Sequence, residues 1–193
     1  MITDLNEERS NELPIEITIR LSAPMQRDSV VDGPGLRTVI WTQGCSHNCP
    51  GCHNPETHSF SKGFDESVDS ICRNIEQWKE NVTFSGGDPM LQARQCSIIA
   101  KKAKDIGLTV WVYTGYDIEY LLEHFDTNGF IRSFLEHIDR LVDGKFDIKK
   151  KSMDCAFRGS TNQRIIDVPK TLANFDSGLE DYVSIDKSYE VDI

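Results

Sequence analysis

Residues 45–52 read CSHNCPGC, two residues beyond the β-branched run RTVIWT of residues 37–42. The run predicts a strand. The cysteines then lie in a loop at the C-terminal end of that strand, where α/β folds place their active sites. Cysteine thiolates hold iron–sulfur clusters, normally four to a cluster. A loop with only Cys45, Cys49 and Cys52 therefore leaves one metal position open, and chemistry occurs at open positions.

Other short sequence motifs along the chain narrow the class of protein to which it can belong. They are DGPG at residues 32–35, CHNPET at 52–57, SGGD at 85–88 and WVYTGY at 111–116. The cysteine spacing resembles that of the radical S-adenosylmethionine enzymes. Together with the other strings, it is similar to the activating proteins of the anaerobic (class III) ribonucleoside-triphosphate reductases. The similarity extends in a consistent order from Asp32 to Arg164.

This resemblance implies an oxidoreductase with two cofactors. A 4Fe–4S cluster would be held by Cys45, Cys49 and Cys52, and S-adenosyl-L-methionine would chelate its fourth iron. An electron from a flavodoxin-like reductant would cleave the sulfonium, and the resulting radical would take hydrogen from a glycine of the anaerobic ribonucleotide reductase catalytic subunit. The cofactor performs the difficult step, so no catalytic side chain is implied beyond the cluster and cofactor.

The resemblance also implies which residues contact S-adenosylmethionine. They are Gly51, Cys52, His53, Ser85, Gly86, Gly87, Asp88, Thr114, Asp143 and Lys145. Asp88 replaces the superfamily's usual glutamate and would hold the ammonium group, beside glycines that expose bare backbone. Asp143 and Lys145 are two positions apart on one strand face. They would lie near the methionine carboxylate, or would form a surface ion pair.

The fold class predicted for this chain is α/β, a single-domain partial (β/α) barrel of mostly parallel strands of the radical-S-adenosylmethionine type. The 193 residues suffice for one domain but fall short of the roughly 250 of a complete eight-fold barrel. Alternating strands and helices imply parallel pairing through crossovers. Residues 1–28 are expected to form an N-terminal extension with a strand, 29–168 the core and 169–193 an acidic tail.

The hydrophobic pattern places the individual elements. Strands are predicted at 14–21, 37–42, 81–84, 108–113 and 140–142. Helices are predicted at 64–79, 91–106, 118–125 and 130–138. Residues 22–29 are expected to form a polar connection, and the string DTNG at 126–129 a turn.

Charge and composition exclude several classes of protein. The net charge is −10, which opposes general nucleic-acid binding because that needs a basic face. About half of the excess lies in residues 174–193, as a solvated tail or as a docking segment for a basic partner. No apolar run approaches the roughly 20 residues of a membrane span, and the N-terminus is unlike a secretory signal. We expect a cytoplasmic protein with no membrane association.

Three cysteines lie outside the loop. Cys72 and Cys96 fall on apolar helix faces and are expected to be small core residues. Cys155 is either an inert thiol or a fourth cluster ligand. The string RGSTNQR at 158–164 also resembles the activator family, which by itself gives it no role.

Two other functions remain open at this level. The first is a small radical enzyme that acts on another glycyl-radical enzyme or on a small molecule, of the formate-lyase activator or deazapurine synthase type. The second is a non-enzymatic iron–sulfur or zinc carrier, which has no use for residues 86–88 or Lys145.

Overall fold

The computed structural model describes residues 16–124, 129–179 and 181–185. In these ranges the strands are β1 (Thr18–Leu21), β2 (Gln26–Ser29), β3 (Arg37–Thr42), β4 (Phe64–Ser67), β5 (Asn81–Gly86), β6 (Val110–Tyr113), β7 (Arg140–Asp143) and β8 (Arg164–Asp167). The α-helices are α1 (Val68–Trp78), α2 (Ala93–Asp105), α3 (Ile118–Glu123), α4 (Gly129–Leu135) and α5 (Val168–Asp176). The predictions for residues 1–15, 125–128, 180 and 186–193 lie outside the described residues.

One sheet contains all of these strands, in the order β4-β1-β3-β5-β6-β7-β8, with β2 beside β3. Its centre, β3-β5-β6-β7, is parallel, as the alternation of strands and helices predicts. The flanking strands β1, β2, β4 and β8 pair antiparallel. Since β4 and β8, at the two ends of this strand order, are not paired with each other in the described ranges, the sheet is an open partial barrel, which confirms the predicted fold class.

Two predictions at the edges of the sheet are wrong. Residues 26–29, expected to be a connection, form β2 against β3. Residues 64–67, expected to begin a helix, form β4, and Leu21 of β1 pairs with Phe64. In both segments backbone hydrogen bonding to a neighbouring strand outweighs a polar local sequence. β8 and α5 were not predicted from the pattern.

The helices bury the apolar faces that the sequence predicts. Cys96 of α2 is fully buried and Cys72 of α1 packs partly buried on the same core, so both behave as small hydrophobic residues. The rings of Phe84 in β5 and Phe134 in α4 meet edge to face at 5.3 Å between centroids. No helix in the described ranges has the length and apolarity needed to cross a membrane.

A buried arginine closes the N-terminal end of the parallel strands. Arg37, the first residue of β3, is fully buried. Its guanidinium donates to Thr83 Oγ1 at 2.6 Å, to the Val82 carbonyl at 2.6 Å and to the Thr109 carbonyl at 3.1 Å. This end of the sheet is therefore filled by protein, and the opposite, C-terminal end is the one available for a site.

Candidate active site

The C-terminal ends of the four parallel strands lie side by side. In register, Thr42 at the end of β3 pairs with Gly86 of β5, and Tyr113 of β6 pairs with Val142 of β7. Residues 45–52, which we call the cluster loop, follow β3 closely. The sheet register thus brings the C-terminal ends of the four parallel strands together at one edge.

The thiols of the cluster loop suit a metal cluster. Cys45, Cys49 and Cys52 are free and partly exposed. Burial raises the pKa of the Cys45 and Cys49 thiols, while backbone hydrogen bonds from His47 and Phe146 act in the opposite direction. The backbone N–H of Asn54 also donates to Cys52 Sγ at 3.4 Å. Donors aimed at sulfur stabilise thiolates, the form that binds metal.

The cluster loop offers three thiols as metal ligands. Cys45, Cys49 and Cys52 are free cysteines within one eight-residue loop. Thiolates are the ligands that hold iron–sulfur clusters. The donor set therefore fits a cluster that is held by three cysteines and has one iron left open.

A cavity of about 530 Å³ opens beside the cluster loop. Predicted site residues Cys52, His53 and Ser85 line it, together with Cys155. Its volume falls in the range of roughly 300–1,000 Å³ that is usual for small-molecule sites. The wall residues that were not predicted as site residues include Trp41, Tyr113, Phe146, Phe157, Arg158 and Gln163. Trp41 and Tyr113 stand at predicted strand ends, which is the only signal that could have indicated them.

The backbone conformation explains the glycine before the third cysteine. Gly51 has a positive φ of 75°, and a Cβ there would lie 2.8 Å from Ile148 Cδ1. No side chain is therefore tolerated easily at this position. The ring of neighbouring His53 instead contacts Phe146, with 4.9 Å between centroids.

The glycine pair at the end of β5 supports the cluster loop. A Cβ on Gly86 would lie 2.6 Å from the Thr42 carbonyl oxygen, and one on Gly87 would lie 2.3 Å from that of Gly44. The backbone N–H of Gly87 donates to Thr42 O at 2.7 Å, and that of Asp88 donates to Gly44 O at 2.9 Å. The bare backbone expected to face a ligand is thus packed against the start of the cluster loop.

Asp88 is buried beneath the same loop. Its side chain is 1% exposed. The carboxylate accepts hydrogen bonds from the Met90 amide at 3.0 Å, the Thr114 hydroxyl at 2.9 Å and the Gly115 amide at 2.9 Å. It also contacts His47 Nε2 at 2.8 Å. Asp88 and Thr114 therefore satisfy each other's hydrogen-bonding groups inside the protein, away from the cavity walls.

Asp143 and Lys145 have separate surroundings. Asp143 is fully buried and accepts from Arg164 Nε at 3.0 Å and from the Ile118 amide at 2.9 Å. Burial raises the pKa of Asp143, and Arg164 opposes that change. Lys145 is exposed and lines a second pocket of about 360 Å³ with His47 and Tyr116. Burial raises the pKa of Cys49 and the charge of Lys145 opposes that rise, so Lys145 faces the cluster loop without Asp143.

The string at 158–164 braces the end of β7. Gln163 Oε1 accepts from the Gly159 amide at 2.9 Å, and its Nε2 donates to Gly144 O at 3.1 Å. Asn162 Nδ2 donates to Lys145 O at 2.8 Å. These contacts hold residues 144–145 in place and complete one cavity wall, a role that the string alone did not indicate.

A three-thiol loop at the open end of a partial parallel barrel defines a single-cluster iron–sulfur protein. In agreement, the family model described as "4Fe-4S single cluster domain" matches residues 31–166. The anaerobic ribonucleoside-triphosphate reductase-activating protein of Pasteurella multocida (strain Pm70) is 33% identical over 147 residues, which cover 70% of this chain and 90% of that protein. The protein of the same name from Vibrio cholerae is 34% identical over 146 residues, with the same coverage.

This chain belongs to the family of anaerobic ribonucleoside-triphosphate reductase-activating proteins. A more partial match joins it to the pyruvate formate-lyase-activating enzyme of Clostridium pasteurianum, 33% identical over 121 residues that cover 57% of this chain and 50% of that enzyme. Family membership confirms the predicted resemblance, the enzyme class and the cofactors, a 4Fe–4S cluster and S-adenosylmethionine. The individual site residues remain predictions.

Replacing Cys45 by alanine is expected to abolish cluster retention, because too few thiolates remain. Cys155→Ser is expected to keep the full complement of iron and sulfide, since we assign Cys155 to the cavity wall. Iron and sulfide analysis of anaerobically reconstituted protein measures both. Loss of the cluster in Cys155→Ser would show a fourth thiolate ligand and remove the open iron.

Gly87→Ala is expected to lower the free energy of unfolding by about 1–3 kcal/mol, the cost of overpacking a closed contact. The matched control is Gly129→Ala, where a Cβ meets nothing within 4 Å, and the expected change is within about 0.5 kcal/mol. Urea unfolding of the apo-protein measures both. Equal effects of the two substitutions would contradict the packing role of Gly87.

Proposed function

We propose that this protein generates the glycyl radical of an anaerobic ribonucleotide reductase. The observation that supports this most strongly is the three-thiol loop beside a ligand-sized cavity, in a chain that covers 90% of the length of activating proteins it matches. Cys45, Cys49 and Cys52 would hold the cluster and leave one iron open. When bound, the cluster and S-adenosylmethionine supply reductive sulfonium cleavage, the source of the radical.

The protein's own residues would bind the ligand, orient it and shield it from water. Trp41, Tyr113 and Phe146 give the cavity apolar aromatic walls, which would exclude water from a reactive site. Ser85 is the residue of the glycine-rich string that faces this cavity. Gly51 and His53 would present backbone at its end.

Lys145 is the cationic group beside the cluster loop that we assign to a ligand carboxylate. It is exposed beside the cluster loop, and no ion pair of Lys145 is found among the described residues. A compact ammonium in this position would attract the methionine carboxylate. We therefore retain Lys145 as a contact for S-adenosylmethionine, and we assign Asp143 to orienting Arg164 and the start of α3.

Two further elements of the proposal come from the resemblance. The electron donor would be a flavodoxin-like reductant, and the location would be the cytoplasm. The catalytic subunit of the reductase would present its glycine at the cavity mouth. Exposed Val31 and Met153 line that mouth and would contact the partner.

The second candidate is activation of pyruvate formate-lyase, favoured by the partial match to the clostridial enzyme. That match covers half of the relative, whereas the matches to the reductase activators cover nine-tenths. The reductase is therefore the better-supported partner.

Anaerobically reconstituted protein, with a reductant and S-adenosylmethionine, is expected to produce a glycyl radical on an anaerobic ribonucleotide reductase. Electron paramagnetic resonance of the mixture measures it. Cys49→Ala protein serves as the control and is expected to give no signal, because its cluster is incomplete. A radical on pyruvate formate-lyase alone, or turnover of a small molecule with none on the reductase, would overturn the assignment.

A further inference from the structure

One buried pair joins the cluster loop to a neighbouring strand end. His47 Nε2 lies 2.8 Å from Asp88 Oδ2, and the two side chains are 6% and 1% exposed. Because a carboxylate only accepts hydrogen bonds, Nε2 must carry the hydrogen and donate it. His47 stands between Cys45 and Cys49, and Asp88 is 41 residues further along the chain. The bond thus couples the thiol-bearing loop to the end of β5.

The ring of His47 is fixed on two further sides. A Cβ on Gly115 would lie 2.4 Å from His47 Cδ2, so the backbone after β6 passes directly against the ring. Tyr116 meets the ring edge to face, with centroids 4.5 Å apart, and itself stacks on Tyr120 at 5.1 Å. The residues after β6 therefore also constrain the orientation of the imidazole.

The acceptor capacity of Asp88 is already used. A carboxylate has about four lone-pair sites. Besides His47, it accepts from Thr114 Oγ1, which lies 2.9 Å from both oxygens, from the Gly115 amide at 2.9 Å and from the Met90 amide at 3.0 Å. An incoming ammonium would have to displace one of these buried donors and leave it unsatisfied.

We propose that His47 is a positioning residue for the cluster loop, and that Asp88 anchors this residue instead of binding the ammonium group of S-adenosylmethionine. This inference deepens the proposed function and rests on it. Partners that orient metal ligands typically change metal affinity or activity by about 10- to 100-fold when removed. Here the orienting bond acts on the loop between two ligands.

Four variants test the proposal: His47→Gln, His47→Asn, His47→Ala and, as a control, His58→Gln. The amide nitrogen of glutamine can occupy the position of Nε2, whereas asparagine reaches only as far as Nδ1. His58 is another partly exposed histidine close to the cluster loop, and no side-chain hydrogen bond is found for it in the described ranges.

Three measurements apply to each variant. The first is the rate at which iodoacetamide alkylates Cys45, Cys49 and Cys52 in the apo-protein. The second is the iron retained during anaerobic dialysis against a chelator. The third is the change that S-adenosylmethionine causes in the resonance spectrum of the reduced cluster, titrated to give an affinity.

The expected result is faster alkylation, loss of iron and an affinity for S-adenosylmethionine about tenfold weaker or more in the Ala and Asn variants. His47→Gln should restore all three to near those of His58→Gln. Equal behaviour of the Gln and Asn variants would overturn the proposal, as would an Ala variant that matches the control. If Ala fails to fold, the comparison of Gln with Asn decides.

The proposed function is tested separately by the wild-type protein. Absence of a glycyl radical on the reductase with intact, His47-dependent binding of S-adenosylmethionine would refute the function and leave the positioning role standing. Radical formation that is equal in wild-type and His47→Asn protein would refute the positioning role and leave the proposed function standing.

Discussion

The site depends on the hydrogen bonds that the buried carboxylate of Asp88 accepts. An ionised group out of water costs several kcal/mol unless hydrogen bonds satisfy it. The donors come from the cluster loop, from the turn after β5 and from the residues after β6. Each of these segments would leave a buried charge unsatisfied if it moved away. Strand ends that the sheet merely brings close are in this way held in one arrangement.

Buried groups of opposite charge stabilise the two ends of the parallel sheet. At the N-terminal end the guanidinium of Arg37 donates to strand carbonyls and to Thr83. At the C-terminal end the carboxylate of Asp88 accepts from amides, a hydroxyl and an imidazole. The first end is filled by protein, whereas the second supports a thiol loop with a cavity beside it. Radical chemistry needs such an asymmetry, because the site must admit a ligand while its metal-binding loop stays fixed.

Much of this architecture was predictable from local sequence. The β-branched run at 37–42 and the helices between the central strands are local patterns, and they indicated the parallel centre and the position of the thiol loop. The edge strands β2 and β4 were not predictable, because their polar sequences become strands only through pairing with β3 and β1. The role of Asp88 was hidden for a similar reason. Its partners His47, Thr114 and Gly115 lie 41, 26 and 27 residues away, so no local pattern could indicate these hydrogen bonds.

The central claim is that the strand ends are locked together before any cofactor binds. Amide hydrogen exchange of Gly115 in the apo-protein, kept anaerobic and free of S-adenosylmethionine, tests this most directly. If the Asp88 carboxylate holds this amide as the structure shows, its free energy of opening should match that of the central β6 amides and approach the global value. Exchange of Gly115 at the rate of an exposed loop, while β6 stays protected, would contradict the account.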